Sequence, residues 1–344
     1  MKTVFNSKID RRSLLKYGSG AAALALAAPA LISSARAATT LRLAVPDPAD
    51  SSVGRAATQF ADFAREGTGG EVVFQVFADG ILFGKDQNAA VNQLGGGSLD
   101  GLILASSVYA SFEPRMNAIS LPYLFKDYDQ LRGYLGGEPG NTLLTSLERL
   151  DIVGLGIFLR TFRDVTTRET PITKLADFKG LTLRTPNNPL WVRLFQTLGA
   201  NPTPMAFSEV YSALQLKTID GQENPVEVPF NNKLFEVQKH LNMTQHLADS
   251  FLLALSKSAW EKIPAEHQDA VRKAATDMVK KHDDEEIAQE EEIIVKLKGL
   301  GMQVNHFEPG ELEKTQELAH TIYPEFEEKI GADFMKSSMQ FLKS

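Results

Sequence analysis

The sequence contains no cysteine among its 344 residues. This absence excludes disulfides, thiolate metal ligands, iron–sulfur clusters, cysteine nucleophiles and a cysteine-linked lipid anchor. Long apolar runs are absent after residue 37, which excludes a polytopic membrane protein. With 43% hydrophobic and 23% charged residues, the chain has the composition of folded globular proteins. Its length predicts two compact domains.

Residues 1–37 have the pattern of a cleaved export signal. Several basic residues precede an apolar stretch from Tyr17 to Ile32, and Ala35-Arg36-Ala37 is a small-x-small cleavage pattern. Asp10-Arg11-Arg12-Ser13-Leu14-Leu15-Lys16 resembles a twin-arginine signal. The alternative is a membrane anchor, but about 16 apolar residues are fewer than the ~20 that span a bilayer. We therefore predict export to the periplasm and no lipid anchor.

Removal of this segment makes the remaining chain strongly acidic. The segment holds six of the 36 Lys and Arg and one of the 43 Asp and Glu, which leaves 30 against 42 and a formal charge of −12. Such a chain is not expected to bind nucleic acid. An anionic ligand would need a local cationic pocket set against the field of the whole protein.

The usual catalytic and cofactor-binding motifs are absent from the sequence. There is no HExxH, no Gly-x-Gly-x-x-Gly after a strand, no Walker loop and no Gly-x-Ser-x-Gly. The six histidines lack the spacing that places two imidazoles on one helix face. Of these, His240 and His246 are predicted to be surface or partly buried residues. These absences favour binding over catalysis, and we expect neither a cofactor nor a metal.

Strand and helix patterns alternate in the first part of the exported chain. Residues 40–45, 71–77 and 102–105 predict strands, a helix begins at Ser51 or Ser52, and residues 86–94 predict a second helix. This order predicts a mostly parallel sheet with helical crossovers.

A similar order of elements recurs about 120 residues later. Residues 179–184 predict a strand, and residues 189–198 and 208–216 predict helices. Residues 217–221 then repeat the Asp-Gly turn of residues 97–101. We therefore predict two similar α/β lobes rather than one larger sheet.

A long polar helix is predicted over residues 265–298, which contain neither Gly nor Pro. At 1.5 Å per residue these residues would extend about 50 Å, more than the width of one lobe. The apolar positions are interrupted at Asp283-Asp284-Glu285-Glu286. This pattern favours a helix that leaves one core, crosses solvent and enters another. The alternative is a break near Asp283.

Arg184 ends one of the predicted strands, directly before Thr185-Pro186. In open α/β sheets, ligands bind beyond the carboxyl ends of the strands. A guanidinium at such a position offers two parallel donors to a carboxylate, which Lys cannot match. From these residues alone, a structural salt bridge with a neighbouring acid is the alternative.

Three motifs in one order resemble a known family. They are ADFKGLTLRTPN at residues 176–187, PTPMAFSEVYSALQ at 202–215 and IDGQENP at 219–225, with fainter matches over residues 40–335. Together they resemble the dicarboxylate-binding (DctP) type of solute-binding protein from tripartite ATP-independent periplasmic (TRAP) transporters.

The resemblance implies an α/β, two-lobed, periplasmic-binding-protein-like fold with a ligand cleft between the lobes. The long helix would span both lobes. We assign residues 38–160 and about 250–289 to lobe I, and residues 161–249 and about 290–344 to lobe II.

The resemblance also implies which arginines bind the ligand. In the family, the Arg of the Lys-Gly-x-x-x-Arg strand forms a salt bridge with the ligand carboxylate, and the matching residue is Arg184. A second Arg on the preceding strand often assists. Arg163 is its best match, and Arg160 and Arg168 remain alternatives.

Five further residues are ligand-binding candidates by the same resemblance. Asn224 matches an amide that contacts the ligand, and Phe207 matches an aromatic that packs on its carbon skeleton. Ser106 follows a strand at a position where family members discriminate between ligands. Asn187 and Trp191 follow the Arg184 strand, where Trp191 either lines the cleft or holds its helix in place. Phe207 and Ser106 could instead be a core residue and a helix cap.

The implied function is non-catalytic capture of an organic acid anion, either a dicarboxylate or a sugar acid. The protein would deliver this ligand in the periplasm to the small and large membrane subunits of a TRAP transporter, which an ion gradient drives. We expect it to act as a monomer whose lobes close on the ligand. The alternatives are a binding protein of an ATP-driven importer and an exported enzyme.

Overall fold

Two β-sheets with flanking helices form the framework of the computed structural model, which describes residues 38–343. The predicted export signal lies outside the described residues. The strands, in chain order, are β1 (Thr39–Ala44), β2 (Val72–Phe77), β3 (Gly101–Ala105), β4 (Ile152–Leu159), β5 (Arg163–Thr167), β6 (Thr182–Thr185), β7 (Asn201–Pro204), β8 (Gly221–Asn224), β9 (His240–Leu247), β10 (Ser250–Ser256) and β11 (Gln303–Asn305).

The helices cover both faces of these sheets. In chain order they are α1 (Ser52–Gly67), α2 (Gln87–Gly95), α3 (Ser106–Tyr109), α4 (Tyr128–Gly136), α5 (Glu138–Ser146), α6 (Pro189–Thr197), α7 (Phe207–Gln215), α8 (Glu227–Asn231), α9 (Lys257–Lys262), α10 (Ala265–Gly299), α11 (Glu311–His320), α12 (Tyr323–Ile330) and α13 (Ala332–Phe341). Among residues 38–343, no helix has both the length and the apolar character needed to cross a bilayer.

The two sheets share a pattern of five strands, and the second sheet has β11 as a sixth strand at one edge. The first has the order β2-β1-β3-β10-β4, and only β10 runs antiparallel to its neighbours. The second has the order β11-β9-β5-β8-β6-β7, and only β5 runs antiparallel to its neighbours. The predicted two-lobed α/β architecture is confirmed. The sheets are mixed because each receives one strand from a chain segment that arrives from the other lobe.

The repeated Asp-Gly turn has the same role in both lobes. Asp100 Oδ2 accepts a hydrogen bond from the backbone N–H of Arg42 at 3.0 Å, and Asp220 Oδ2 accepts one from Thr182 N–H at 2.8 Å. Each Asp thereby joins the start of one parallel strand (β3 or β8) to its neighbour (β1 or β6). The glycine that follows allows close strand approach, since a Cβ on Gly221 would lie 2.1 Å from the Thr166 carbonyl oxygen.

The chain passes between the sheets at three places. Residues 160–162 connect β4 to β5, residues 248–249 connect β9 to β10, and α10 leads from β10 to β11. The first two connections lie side by side, because Arg160 N–H donates to the Asp249 carbonyl oxygen at 3.3 Å. Charged residues therefore lie where the lobes are joined.

The helix α10 is continuous over 35 residues, so the predicted long helix is confirmed and no break occurs near Asp283. Val271 and Met278 belong to the core of the first lobe, whereas Ile294 and Leu297 pack with Leu241 in the second. The expectation that the middle of the helix is solvated is wrong. Asp283 and other residues there are buried because they pack against the end of β4, where Asp283 Oδ1 accepts a hydrogen bond from Leu159 N–H at 2.9 Å.

The C-terminal helices contact both lobes. Ile322 and Phe326 pack into the core of the second lobe. Further along, Ser338 of α13 is hydrogen-bonded to Tyr134 of α4 at 2.8 Å, and the Phe341 ring packs edge-on against Tyr134. The domain boundaries assigned from the sequence stay a prediction.

Candidate ligand-binding site

A cavity lies between the lobes where the carboxyl ends of parallel strands meet. In the first lobe, Asp47 follows β1 and Ser107 follows β3. In the second lobe, Arg184 lies near the end of β6 and Asn224 ends β8. All four residues line the cavity. Since ligands of open α/β sheets bind at this edge, the cavity is the candidate binding site.

Arg184 is a buried cation without an ion-pair partner in the described part of the chain. It is 4% exposed, and its Nε and Nη2 donate to the Met205 carbonyl oxygen at 3.2 and 3.0 Å. Burial lowers the pKa of Arg184 to about 10, Glu223 opposes this shift, and the charge of Arg163 adds to it. The guanidinium therefore stays protonated at neutral pH, and its Nη1 remains available to an anion.

Arg163 also lines the cavity, but its charge is compensated inside the protein. Its Nε and Nη2 donate to the Glu223 carboxylate at 2.6 and 3.0 Å, and its Nη1 donates to Asp249 Oδ2 at 2.8 Å. The guanidinium carbon lies 4.4 Å from the centre of the Trp191 ring. Nη2 also donates to Asn224 Oδ1 at 2.8 Å, so Arg163 orients an amide that lines the cavity.

The other two candidate arginines lie in different places. Arg160 lines the cavity and donates to Asp249 Oδ2 at 3.0 Å and to Glu227 Oε1 at 2.8 Å. Arg168 follows the opposite end of β5, where its Nη2 donates to the carbonyl oxygens of Leu214 and Ile219. The structure thus brings Arg160 and Arg163 to the cavity and leaves Arg168 outside its lining.

Buried carboxylates that were not predicted from the sequence hold this arginine cluster. Asp249 accepts hydrogen bonds from both Arg160 and Arg163. Burial by itself would raise the pKa of Glu223, but Arg163 and the His246 hydrogen bond outweigh it and leave that pKa lowered. His246 is fully buried, so its predicted position at or near the surface is wrong; its Nε2 lies 3.4 Å from Glu223 Oε2.

Three of the predicted residues of the second lobe lie at the cavity or its opening. Asn224 donates through Nδ2 to Gln222 Oε1 at 2.6 Å, which fixes the orientation of its amide. Phe207 begins α7, and the centre of its ring lies 5.6 Å from the Arg184 guanidinium carbon. Asn187 is exposed, lines an adjoining cavity, and its carbonyl oxygen accepts a hydrogen bond from Ser111 at 3.2 Å.

Ser106 and Trp191 lie behind the cavity rather than in its lining. Ser106 begins α3 and is fully buried, where its Oγ donates to Asp249 Oδ1 at 3.2 Å. The next residue, Ser107, lines the cavity instead. Trp191 is fully buried in the core of the second lobe, beneath the Arg163 guanidinium. Both residues therefore support the arginine cluster from behind.

Two polar residues of the first lobe line the cavity and were not predicted from the sequence. Asp47 follows β1, and its carboxylate makes no hydrogen bond or ion pair with another described residue. Gln87 is the first residue of α2, and its side-chain amide is also without a partner in residues 38–343. Only their positions in the sequence could have indicated these two residues, because Asp47 follows a predicted strand and Gln87 lies at the start of a predicted helix.

The cavity opens into two larger ones. The space beside the arginines is about 40 Å³, enough for a group the size of a carboxylate. One adjoining cavity of about 290 Å³ also contains Asp47, Gln87 and Phe207 in its lining. Another, of about 400 Å³, shares Arg184, Gln87 and Phe207. The arrangement can hold one anionic group against Arg184 and the rest of a small molecule in the adjoining space.

Comparisons with known proteins agree with this fold. The chain is 35% identical over 246 residues to the 2,3-diketo-L-gulonate-binding periplasmic protein YiaO of Escherichia coli K12. This match covers 72% of this chain and 74% of that protein. It is 30% identical over 321 residues to the C4-dicarboxylate-binding periplasmic protein DctP of Rhodobacter capsulatus, over 92% and 93% of the two chains.

A solved structure has the same fold. The sugar acid binding protein DctPAm of Advenella mimigardefordensis strain DPN7T, in complex with galactonate, matches with a TM-score of 0.85 and 28% identity, over 89% of this chain and 98% of that one. The family profile of bacterial extracellular solute-binding proteins, family 7 (DctP), matches residues 44–329. The resemblance to TRAP solute-binding proteins is therefore confirmed, and this chain belongs to family 7 of the bacterial extracellular solute-binding proteins.

Proposed function

We propose that this chain captures an organic acid anion in the periplasm by binding its carboxylate to Arg184, and that it has no catalytic activity. The bound form then delivers the anion to the small and large membrane subunits of a TRAP transporter for uptake driven by an ion gradient. The protein acts as a monomer, without a lipid anchor, and its lobes close on the ligand.

The observation that carries the proposal is the unpaired charge of Arg184. A buried cation is costly unless it is compensated, and such groups are normally paired. Arg160 and Arg163 are paired with buried carboxylates, whereas Arg184 donates only to a neutral carbonyl oxygen. A ligand carboxylate would supply the missing negative charge, and each hydrogen bond between charged groups contributes about 1.5–3 kcal/mol.

A few such contacts are sufficient for useful affinity. A micromolar dissociation constant corresponds to about 8 kcal/mol. Two charged hydrogen bonds to Arg184, together with packing on Phe207 and hydrogen bonds to Ser107 or Asn224, would approach this value. The network of Arg163, Glu223 and Asp249 holds this wall of the cavity rigid, which reduces the entropic cost of binding.

The names of relatives support the same class of ligand. YiaO is named for 2,3-diketo-L-gulonate, DctP of Rhodobacter capsulatus for C4-dicarboxylates, and DctPAm was solved with galactonate. All three ligands carry at least one carboxylate. An ATP-driven importer and an exported enzyme are not favoured, because the DctP family profile matches residues 44–329 and these relatives are named as binding proteins.

The test is a thermal-shift screen of organic acids on residues 38–344, followed by calorimetry of the acids that raise Tm. Arg184→Lys should weaken binding at least tenfold, because a single ammonium cannot replace a two-pronged guanidinium. Arg168→Lys is the matched control, since Arg168 also donates to backbone carbonyls but does not line the cavity. Unchanged affinity in Arg184→Lys with a lowered Tm of the ligand-free protein would contradict the proposal.

A further inference from the structure

We propose that the cavity selects acids with a single carboxylate and several hydroxyl groups, and that Asp47 both accepts hydrogen bonds from those hydroxyls and repels a second carboxylate. This inference rests on the proposed role of Arg184 and narrows it from organic acids in general to hydroxylated monocarboxylic acids. This selectivity depends on which charges in the cavity are already compensated.

Charges around the arginines leave room for one negative group. Arg160 and Arg163 contact three carboxylates, those of Glu223, Glu227 and Asp249. These two cations are therefore more than neutralised by protein groups. Of the three arginines that line the cavity, only Arg184 lacks an anionic partner among the described residues, so the cluster offers one site for a carboxylate.

Asp47 occupies the lobe I side of the same cavity. It lines both the space beside Arg184 and the adjoining cavity of about 290 Å³. Its carboxylate oxygens have no hydrogen-bond donor in residues 38–343, although they are not sealed from the cavity. Burial raises the pKa of Asp47 to about 6; the charge of Arg160 opposes this shift, and those of Glu227 and Asp79 add to it. The group is therefore mainly ionised at neutral pH. An ionised, unpaired carboxylate in a ligand cavity favours hydrogen-bond donors and disfavours anions.

The rest of this adjoining cavity also suits a hydroxylated chain. Gln87 presents an unpartnered amide in its lining, and Ser208 and Asn232 add further polar groups. Phe207 supplies an apolar face. A closed cavity with unsatisfied polar groups discriminates strongly against analogues that lack the matching hydroxyls.

The exposed Lys85 does not create a site for a second carboxylate. Lys85 is the one Lys that lines either adjoining cavity among the described residues. Asp79 lines the first of these cavities with it, and Asp86 lines the second. A second carboxylate of the ligand at the cavity mouth would be attracted by Lys85 and repelled by Asp79 or Asp86. Solvent and salt also screen the attraction of Lys85 at this exposed position.

The experiment compares acids that differ only in hydroxyls and carboxylates. D-galactonate, galactarate, hexanoate and adipate form a six-carbon set, and D-erythronate, tartrate, butyrate and succinate form a four-carbon set. Calorimetry at pH 7.5 on residues 38–344 should give the tightest binding for galactonate or erythronate. Asp47→Asn should weaken that binding at least tenfold and strengthen binding of the dicarboxylate of the same set at least tenfold.

Two further variants test whether the effect of Asp47→Asn comes from the charge of Asp47 in the cavity. Gln87→Glu adds a negative charge beside Asp47 and should weaken dicarboxylates further. Lys126→Ala changes an exposed lysine outside all three of these cavities and should leave all affinities within about twofold. The inference is overturned if a dicarboxylate binds the parent protein as tightly as the hydroxylated monocarboxylate, or if Asp47→Asn and Gln87→Glu both fold and change nothing. Acid binding that persists in Arg184→Ala, or no acid binding at all, overturns the proposed function and this inference with it.

Discussion

Arg163 and Arg184 line the same cavity, but only Arg163 is paired with carboxylates of the protein. Arg163 contacts Glu223 and Asp249, whereas Arg184 donates to the carbonyl oxygen of Met205. Both residues are almost fully buried. The two arginines therefore differ in their partners: Arg163 is held by carboxylates at the lobe connection, and the charge of Arg184 is available to a ligand. That both arginines bind the ligand stays a prediction.

Replacing Arg163 should mainly reduce stability. Arg163→Met removes the arginine partner of Glu223 and one of the two arginines that hold Asp249, and breaking a buried ion pair on one side costs about 3–5 kcal/mol. We expect a loss of that order in the free energy of unfolding, measured by urea denaturation of the ligand-free protein. A loss below about 1 kcal/mol would show that the network is not structural.

Replacing Arg184 should abolish ligand binding without reducing the stability of the ligand-free protein. Burial disfavours its charge in the ligand-free protein, as the lowered pKa of about 10 indicates. Arg184→Met retains the side-chain volume and removes this unfavourable burial, so the ligand-free protein should be at least as stable as the parent in the same urea experiment. Stabilisation by an added organic acid should disappear. A large loss of stability without ligand would identify Arg184 as a structural residue instead.

Stability should depend on pH through acidic residues of α10. Burial raises the pKa of Asp283 and that of Glu290 to about 7 each, in spite of hydrogen bonds from Leu159 N–H and Tyr128. Between the ordinary pKa values of these carboxyls and pH 7, the folded state binds more protons than the unfolded state. The contribution of the protonated carboxyls to the free energy of unfolding is therefore lost as pH rises through 7. The Tm of the ligand-free protein should therefore be higher at pH 6.5 than at pH 8.5.

Glu290→Gln isolates this effect. Gln can still accept the Tyr128 hydrogen bond, which is 2.7 Å long in the parent. The variant should show a smaller difference in Tm between pH 6.5 and pH 8.5. Below pH 6.5, buried His282 opposes the trend, since burial lowers its pKa to about 4 and the unfolded state takes up the proton. A parent Tm that rises from pH 6.5 to pH 8.5 would contradict the assignment.

The glycine of the repeated turn should be intolerant of a side chain. A Cβ on Gly221 would lie 2.1 Å from the Thr166 carbonyl oxygen, so Gly221→Ala would force β8 away from β5. We expect a loss of at least about 1–3 kcal/mol, the range for overpacking. Gly133→Ala in α4 is the control, because a Cβ there meets nothing within 4 Å and Ala favours helix. Equal stability of the two variants would contradict the close approach.

Much of the fold could be predicted because its signals are local. The apolar periodicity and the absence of Gly and Pro define α10, and the Asp-Gly turns mark equivalent strands in the two lobes. Arg184 could be selected as a candidate because it ends a predicted strand and matches the arginine of the family's Lys-Gly-x-x-x-Arg motif, whereas the strand end alone left a structural salt bridge open. The burial of Asp283 could not be predicted, since it depends on β4 ending beside the middle of α10.

The details of the site depend on tertiary contacts that a sequence does not display. Asp249 pairs with Arg160 and Arg163 only because two connections between the lobes lie side by side. Ser106 and Ser107 are adjacent in the sequence, but at the start of α3 Ser106 contacts Asp249 whereas Ser107 lines the cavity. Asp47 is one of several acids after a strand, and its isolation from donors is visible only in three dimensions.

The most direct test of the central claim is a crystal structure of residues 38–344 with the acid that gives the largest thermal shift. We expect one carboxylate of the ligand within about 3 Å of Arg184 Nη1, with two charged hydrogen bonds to that guanidinium. A bound acid whose carboxylate contacts other residues, with Arg184 still bonded only to Met205, would contradict the account.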